Sequence, residues 1–120
     1  TINFAVGEKF ESMKSELLEQ IQPRLADFER LLNAKPDMPF FFGEAPFYCD
    51  FGVFHHVNLA LFLDEGLLGA YPRLREFMST LEGLVGVREY LANRPELIGV
   101  GTQPQLVIDG VARPTGVVNE

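Results

Sequence analysis

Residues 50–64 read DFGVFHHVNLALFLD, with no charged side chain between Asp50 and Asp64. A helix that sits on a surface keeps one polar face for water, whereas one that is apolar nearly all round has to be enclosed by other elements. The run is too short to cross a bilayer, which takes about 20 apolar residues, and Asn58 interrupts it. It is therefore predicted as the buried central helix of a globular domain. Asp50 at its start sets a negative charge against the positive end of the helix dipole.

The neighbours such a helix needs are legible on both sides of it. Over residues 8–33 apolar side chains stand at positions 10, 13, 17, 18, 21, 25, 28, 31 and 32. Steps of three and four mark one face of an amphipathic helix. Pro23 falls inside the pattern. It lacks an N–H and presses on the carbonyl of Glu19, so it either kinks one long helix or opens a second. Residues 34–46 carry Pro36, Pro39, Gly43 and Pro46 and read as a loop, with Phe40, Phe41 and Phe42 as an apolar plug anchoring it to the core. After a glycine-rich turn at 65–70, Tyr71 and Pro72 open another helix with proline at its first position. Leu74, Phe77, Met78, Leu81 and Val85 form its apolar stripe, and Gly83 and Gly86 weaken its end. A shorter helical segment at 87–93 follows, stopped by Pro95. The fold class this predicts is all-α, a helical bundle over residues 1–95.

The last part differs. Residues 99–120 are rich in Gly and Pro and show no helical period. Leu106, Val107 and Ile108, then Asp109-Gly110, then Val111 and Ala112 give a small hairpin signal. A hairpin alone is marginal in water. Residues 96–120 are therefore expected as an extended apolar tail laid over a surface, either a groove of this domain or a partner protein.

The 120 residues suffice for one domain or part of one. Hydrophobic residues at 47% and charged residues at 22% exclude a disordered chain. The net charge of −7 leaves no basic face for phosphates, so neither nucleic acid nor an anionic membrane is an expected partner, and no transmembrane segment is expected. One cysteine, Cys49, excludes an internal disulfide and a cysteine-based zinc site, and fits a reducing, cytoplasmic setting. The chain opens on Thr1 rather than Met and is read as a processed chain, a fragment or an incomplete stretch of a longer one.

Chemistry-bearing residues are sparse. His55 and His56 are the two imidazoles, and neighbours on a helix point about 100° apart, so they do not clamp one metal as an i, i+4 pair does. They are read as structural. Cys49 precedes a helix start but has no evident base, and is read as a small apolar side chain. Glu16/Glu19 and Asp64/Glu65 are read as solvated faces. No GxSxG, Walker loop, GxGxxG or HExxH is present. No catalytic residue, metal ligand or cofactor-binding residue is assigned, and any activity has to draw on residues elsewhere.

Five features occur in a recognisable order: Phe42-Gly43-Glu44, Cys49-Asp50-Phe51, the long apolar helix, Tyr71-Pro72, and Tyr90-Leu91 with Arg94-Pro95. Together with Leu17 to Leu32, its internal Pro23 and the Phe28-Glu29 pair, they resemble the C-terminal helical domain of cytosolic glutathione S-transferases. Resemblance extends over about residues 10–95, with the mu, pi, alpha and sigma classes nearest. In that family Ser or Thr usually stands three residues before the Asp, completing a capping box. Here the position is Phe47, which has no side-chain oxygen. Asp50 remains as the structural helix cap, bonding back toward the Phe47 N–H, and the lost half costs about 1 kcal/mol.

The resemblance implies a parent protein that conjugates glutathione, as co-substrate, to hydrophobic electrophiles. This half would contribute to the electrophile pocket and to a dimer, with Phe4, Val6 and Phe10 as pocket candidates by position. The thioredoxin-like half that binds glutathione is missing from this stretch, so this chain alone is expected to bind no cofactor. Its expected partner is that half or a second subunit. The alternative is a non-catalytic docking or scaffold subunit of a larger protein complex, joined through residues 99–120.

Overall fold

The computed structural model describes residues 7–94 and the backbone of two short strands at 105–108 and 111–114. The elements run α1 (Gly7–Asn33), α2 (Tyr48–Leu61), α3 (Pro72–Gly83), α4 (Val85–Asn93), β1 (Gln105–Ile108) and β2 (Val111–Pro114). Through residue 94 the described chain is all-helical, as the periodicity predicts. β1 and β2 pair antiparallel, Gln105 opposite Pro114 and Ile108 opposite Val111, where the hairpin signal lay. The rest of the tail lies outside the described residues.

Pro23 does not break α1, which continues from Gly7 to Asn33. Glu19, Gln22, Pro23 and Arg24 are all exposed, so the carbonyl that loses its N–H partner faces water instead of the core. α3 begins where proline predicts, with Pro72 in the first turn. Its stripe of Leu74, Phe77, Met78 and Leu81 is buried, while Val85 belongs to α4 and is exposed.

The core forms where α1, α2, the 40–42 loop and the 67–68 turn converge on α3. Leu25 and Leu32 come from α1, Phe54, Val57 and Ala60 from α2, and Leu74, Phe77 and Leu81 from α3. Phe77 has no exposed surface, and its ring meets those of Phe40 at 6.4 Å and Phe41 at 5.1 Å. Such aromatic contacts add about 0.5–1.5 kcal/mol to the area each ring removes from water.

α2 departs from its predicted role in two ways. It spans Tyr48–Leu61 rather than 50–64, because Asp50 lies inside its first turn and the chain bends after Ala60. The Leu63 and Asp64 amides both donate to the Ala60 carbonyl, and Asp64 Oδ1 then accepts from Gly66 N at 2.9 Å. That bend delivers Leu67 and Leu68 to the core. Second, α2 is not enclosed by the described residues. It buries Asp50, Phe54, Val57 and Ala60, whereas Phe51, His55, His56 and Phe62 are exposed. The described elements cover one side of it, so α3 and not α2 is the centre of this packing.

Candidate functional site

The start of α2 and the loop before it are held by one buried carboxylate. Asp50 is 0% exposed. Its Oδ2 accepts from Phe47 N at 2.7 Å, and its Oδ1 accepts from Phe41 N at 3.1 Å. The first bond closes the turn into the helix; the second fastens the aromatic loop to it. Phe47, with no side-chain acceptor, leaves the amide of Asp50 to its own backbone carbonyl at 3.0 Å. The Cys49 thiol lies 3.8 Å from Asp50 Oδ2.

A second carboxylate joins helices. Glu29 on α1 accepts from Arg73 N at 3.0 Å through Oε1 and from Leu74 N at 2.7 Å through Oε2. These are free amides of the first turn of α3, whose preceding residue Tyr71 supplies no side-chain cap. Arg73 donates in turn to the Met38 carbonyl and to Glu76 at 2.7 Å. Loop 34–47 is thus fixed from the α2 side by Asp50 and from the α3 side by Arg73. The sequence analysis names Glu29 only within the Phe28-Glu29 pair of the family pattern and gives it no role; the signal for one is an acid four residues after Leu25, on the stripe that continues to Leu32.

Two clefts among the described residues adjoin α2. The cleft between α1 and α2, of about 350 Å³, is lined by Phe28, Leu31, Phe41, Phe42 and Val53 together with Lys35 and Cys49. The cleft between α2 and α4, of about 380 Å³, sets Phe51, Phe54 and Leu91 beside His55, Asn58 and Arg94. Both are suited to an apolar group. Neither pairs a nucleophile with a base.

Of the residues named from the sequence, Phe4 and Val6 lie outside the described residues. Phe10 is buried on α1 and lines neither cleft. The three-phenylalanine plug divides: Phe40 is buried, Phe41 half-buried, and Phe42 is 67% exposed. The plug reading fails for Phe42 because the chain is not extended here: it bends through 39–45, with Phe40 N donating to the Gly43 carbonyl at 3.2 Å, and carries Phe42 away from the core. His55 and His56 are exposed, with ring centroids 5.5 Å apart. No cluster of three metal-ligating side chains occurs among the described residues. No helix among them is long and apolar enough to cross a membrane.

Comparison with known proteins gives this geometry a family. Residues 3–94 match the family model of the glutathione S-transferase C-terminal domain. Glutathione S-transferase Mu 4 of Homo sapiens is 29% identical over 82 residues, covering 68% of this chain and 36% of that protein. Glutathione S-transferase B of Cavia porcellus is 32% identical over 82 residues, with the same two shares. Glutathione S-transferase Mu 1 of Bos taurus is 29% identical over 90 residues, 75% of this chain and 40% of the relative. The chain spans less than half the length of these relatives. The match takes in α1 to α4, the Phe42-Gly43-Glu44 loop and the Asp50 helix start, and so the chain belongs to the glutathione S-transferase family, through its C-terminal helical domain.

Proposed function

We propose that this chain is the electrophile-binding half of a protein that conjugates glutathione to hydrophobic electrophiles. The observation that carries the reading is the family match over residues 3–94. In such a division of labour the helical half removes an apolar electrophile from water. The thiolate is generated elsewhere, on a thioredoxin-like half or a second subunit in the cytoplasm. Conjugation in a dry site favours the thiolate's attack by replacing its hydration with fixed protein groups.

The α1–α2 cleft offers one lysine and one thiol against apolar walls. Lys35 can pair with one carboxylate of glutathione, but this lining holds no second cation and no carboxylate for its amine, so glutathione is assigned in this proposal to the thioredoxin-like half and no step here is routed through it. Phe4, Val6 and Phe10 are proposed as this chain's contribution to the electrophile pocket, within a helical domain at 1–95 followed by a tail at 96–120.

The test joins residues 1–120 to the thioredoxin-like half of a mu-class relative and follows conjugation of an aryl halide. Turnover by the joined protein and none by the chain alone supports the proposal. Phe10→Ala should then raise KM for the aryl halide several-fold and leave KM for glutathione unchanged. A joined, folded protein without turnover would favour the second reading, a docking subunit that uses residues 99–120. The observation favouring that second reading is Phe47, which stands where the family pattern has a capping Ser or Thr.

A further inference from the structure

α2 keeps a bare stripe along one side. Phe51, His55 and Phe62 are exposed and Leu59 is half-buried. Steps of four, four and three put the four in one line along the helix. At 1.5 Å per residue the line runs for about 16 Å, or three turns. The described elements pack on the opposite side, through Asp50, Phe54, Val57 and Ala60. From Phe51 to Leu63 the sequence has no charged side chain. A helix face turned to water carries charges, and one without them belongs under another element.

Gly52 points the same way. It lies inside α2 beside the stripe, and a Cβ there would meet nothing within 4 Å. Glycine inside a helix is less stable than alanine, because the unfolded chain has more freedom to lose. Nothing among the described residues requires the missing methyl. Its absence opens the backbone of α2 to close approach by a second helix.

The size of the relatives selects the occupant. The match takes 36% of one relative and 40% of another, so most of each lies beyond it. A neighbour joined in the same chain meets the stripe at high effective concentration, so a face of modest size suffices. An anionic membrane surface attracts basic side chains, and the stripe has none. Phe51 and His55 also line the α2–α4 cleft, so a side chain projecting from the covering element has a hollow to enter.

We propose that an amphipathic helix from the other half of the parent protein lies along Phe51, His55, Leu59 and Phe62, crossing α2 at Gly52 and placing one apolar side chain in the α2–α4 cleft. The proposal rests on the reading of this chain as one half of a larger protein, and it adds the face by which the halves join.

The test is thermal denaturation of Phe51→Ala and Gly52→Ala. Each is made in the 120-residue chain and in that chain joined to the thioredoxin-like half of a mu-class relative. In the chain alone Phe51→Ala should leave the melting temperature unchanged, and Gly52→Ala should raise it by a few degrees through better helix propensity. In the joined protein Phe51→Ala should lower it by several degrees. Gly52→Ala should lower it too, because the added methyl holds the covering helix off. A purely local role for Gly52 would give the same rise in both proteins.

The proposal is overturned if both variants act alike in the two proteins, or if Phe51→Ala already lowers the melting temperature of the chain alone. Two separate melting steps in the joined protein, with the helical one unchanged, overturn it as well. So does a melting temperature of the chain alone that rises with concentration and no longer does so in Phe51→Ala, which would assign the stripe to a second copy. None of these readouts needs turnover. A joined protein that melts as expected but conjugates nothing overturns the transferase reading alone. One that conjugates while the variants act alike overturns this proposal alone.

Discussion

α2 and α3 pack against each other, yet they use their apolar residues in opposite ways. α3 alternates a narrow stripe with Arg73, Arg75, Glu76 and Glu82, and the stripe is spent on the core: Leu74, Phe77 and Leu81 are 0% exposed. α2 has more apolar surface and buries less of it, leaving Phe51 at 40% and the following Phe62 at 46% exposure. Composition therefore tells how much a helix is able to bury, while its partners decide how much it does. Among the described residues that surplus on α2 is left uncovered.

The sharpest way to break that comparison is to cut one ring from each helix. Phe77→Ala should cost about 3–5 kcal/mol, because the cavity opens between Phe40 and Phe41, which cannot collapse into it freely. Phe51→Ala on the open side of α2 should stay within about 0.5 kcal/mol. Urea denaturation of the two variants measures both. Equal losses would mean that α2 is as enclosed as α3. Leu61→Asp tests the intermediate case: Leu61 is half-buried at the core margin, so the variant should be destabilised yet retain a folding transition that a charge at Phe77 would abolish.

Next in size are the two carboxylates that fasten these helices. Asp50→Ala leaves the Phe41 and Phe47 amides without their partner and should cost about 3 kcal/mol, with Phe41 and Phe47 amides exchanging faster in hydrogen-exchange measurements. Glu29→Gln keeps one acceptor for the first turn of α3 and loses the charge that complements its dipole. About 1 kcal/mol is the expected loss. If Glu29→Gln proved as costly as Asp50→Ala, the α1–α3 contact would rest on this cap more than on Leu25 and Leu32.

How much of this was legible in the sequence follows the range of the interaction concerned. Helix existence rests on local period, so α1, α3 and α4 lie close to where steps of three and four put them, and Pro72 marks its boundary. Pro23 was ambiguous because its cost depends on whether the orphaned carbonyl of Glu19 faces water, which periodicity around Leu18 and Ile21 only hints at. Glu29 enters the sequence reading only as half of the Phe28-Glu29 pair, and its capping role is not legible there, since its partners are the backbone amides of Arg73 and Leu74, distant in the chain and without side-chain signature. Phe42 was misjudged with Phe40 and Phe41 because a run of identical residues gives no indication of which member turns outward. For the candidate site, the start of α2 at Asp50 could be read from the family pattern, whereas the two clefts could not, since each needs the relative placement of separate helices.

The smallest expected effect sharpens the comparison at the start of α2, and it is a balance of two terms. Phe47→Ser supplies an oxygen able to accept from an amide in the first turn, and a good cap residue is worth about 1 kcal/mol over an apolar one. Against this, the variant forfeits the edge-to-face contact with Phe42, about 0.5–1.5 kcal/mol for a well-enclosed pair. At 67% and 54% exposure the two rings sit mostly in water, so that contact belongs at the low end of the range. The net expectation is a gain of a few tenths of a kcal/mol, read as a small rise in the midpoint of urea denaturation with an unchanged slope. A loss of 1 kcal/mol or more, on the order of a full buried aromatic contact, would show instead that Phe42 and Phe47 hold the loop together, and that the outward rings stabilise the fold.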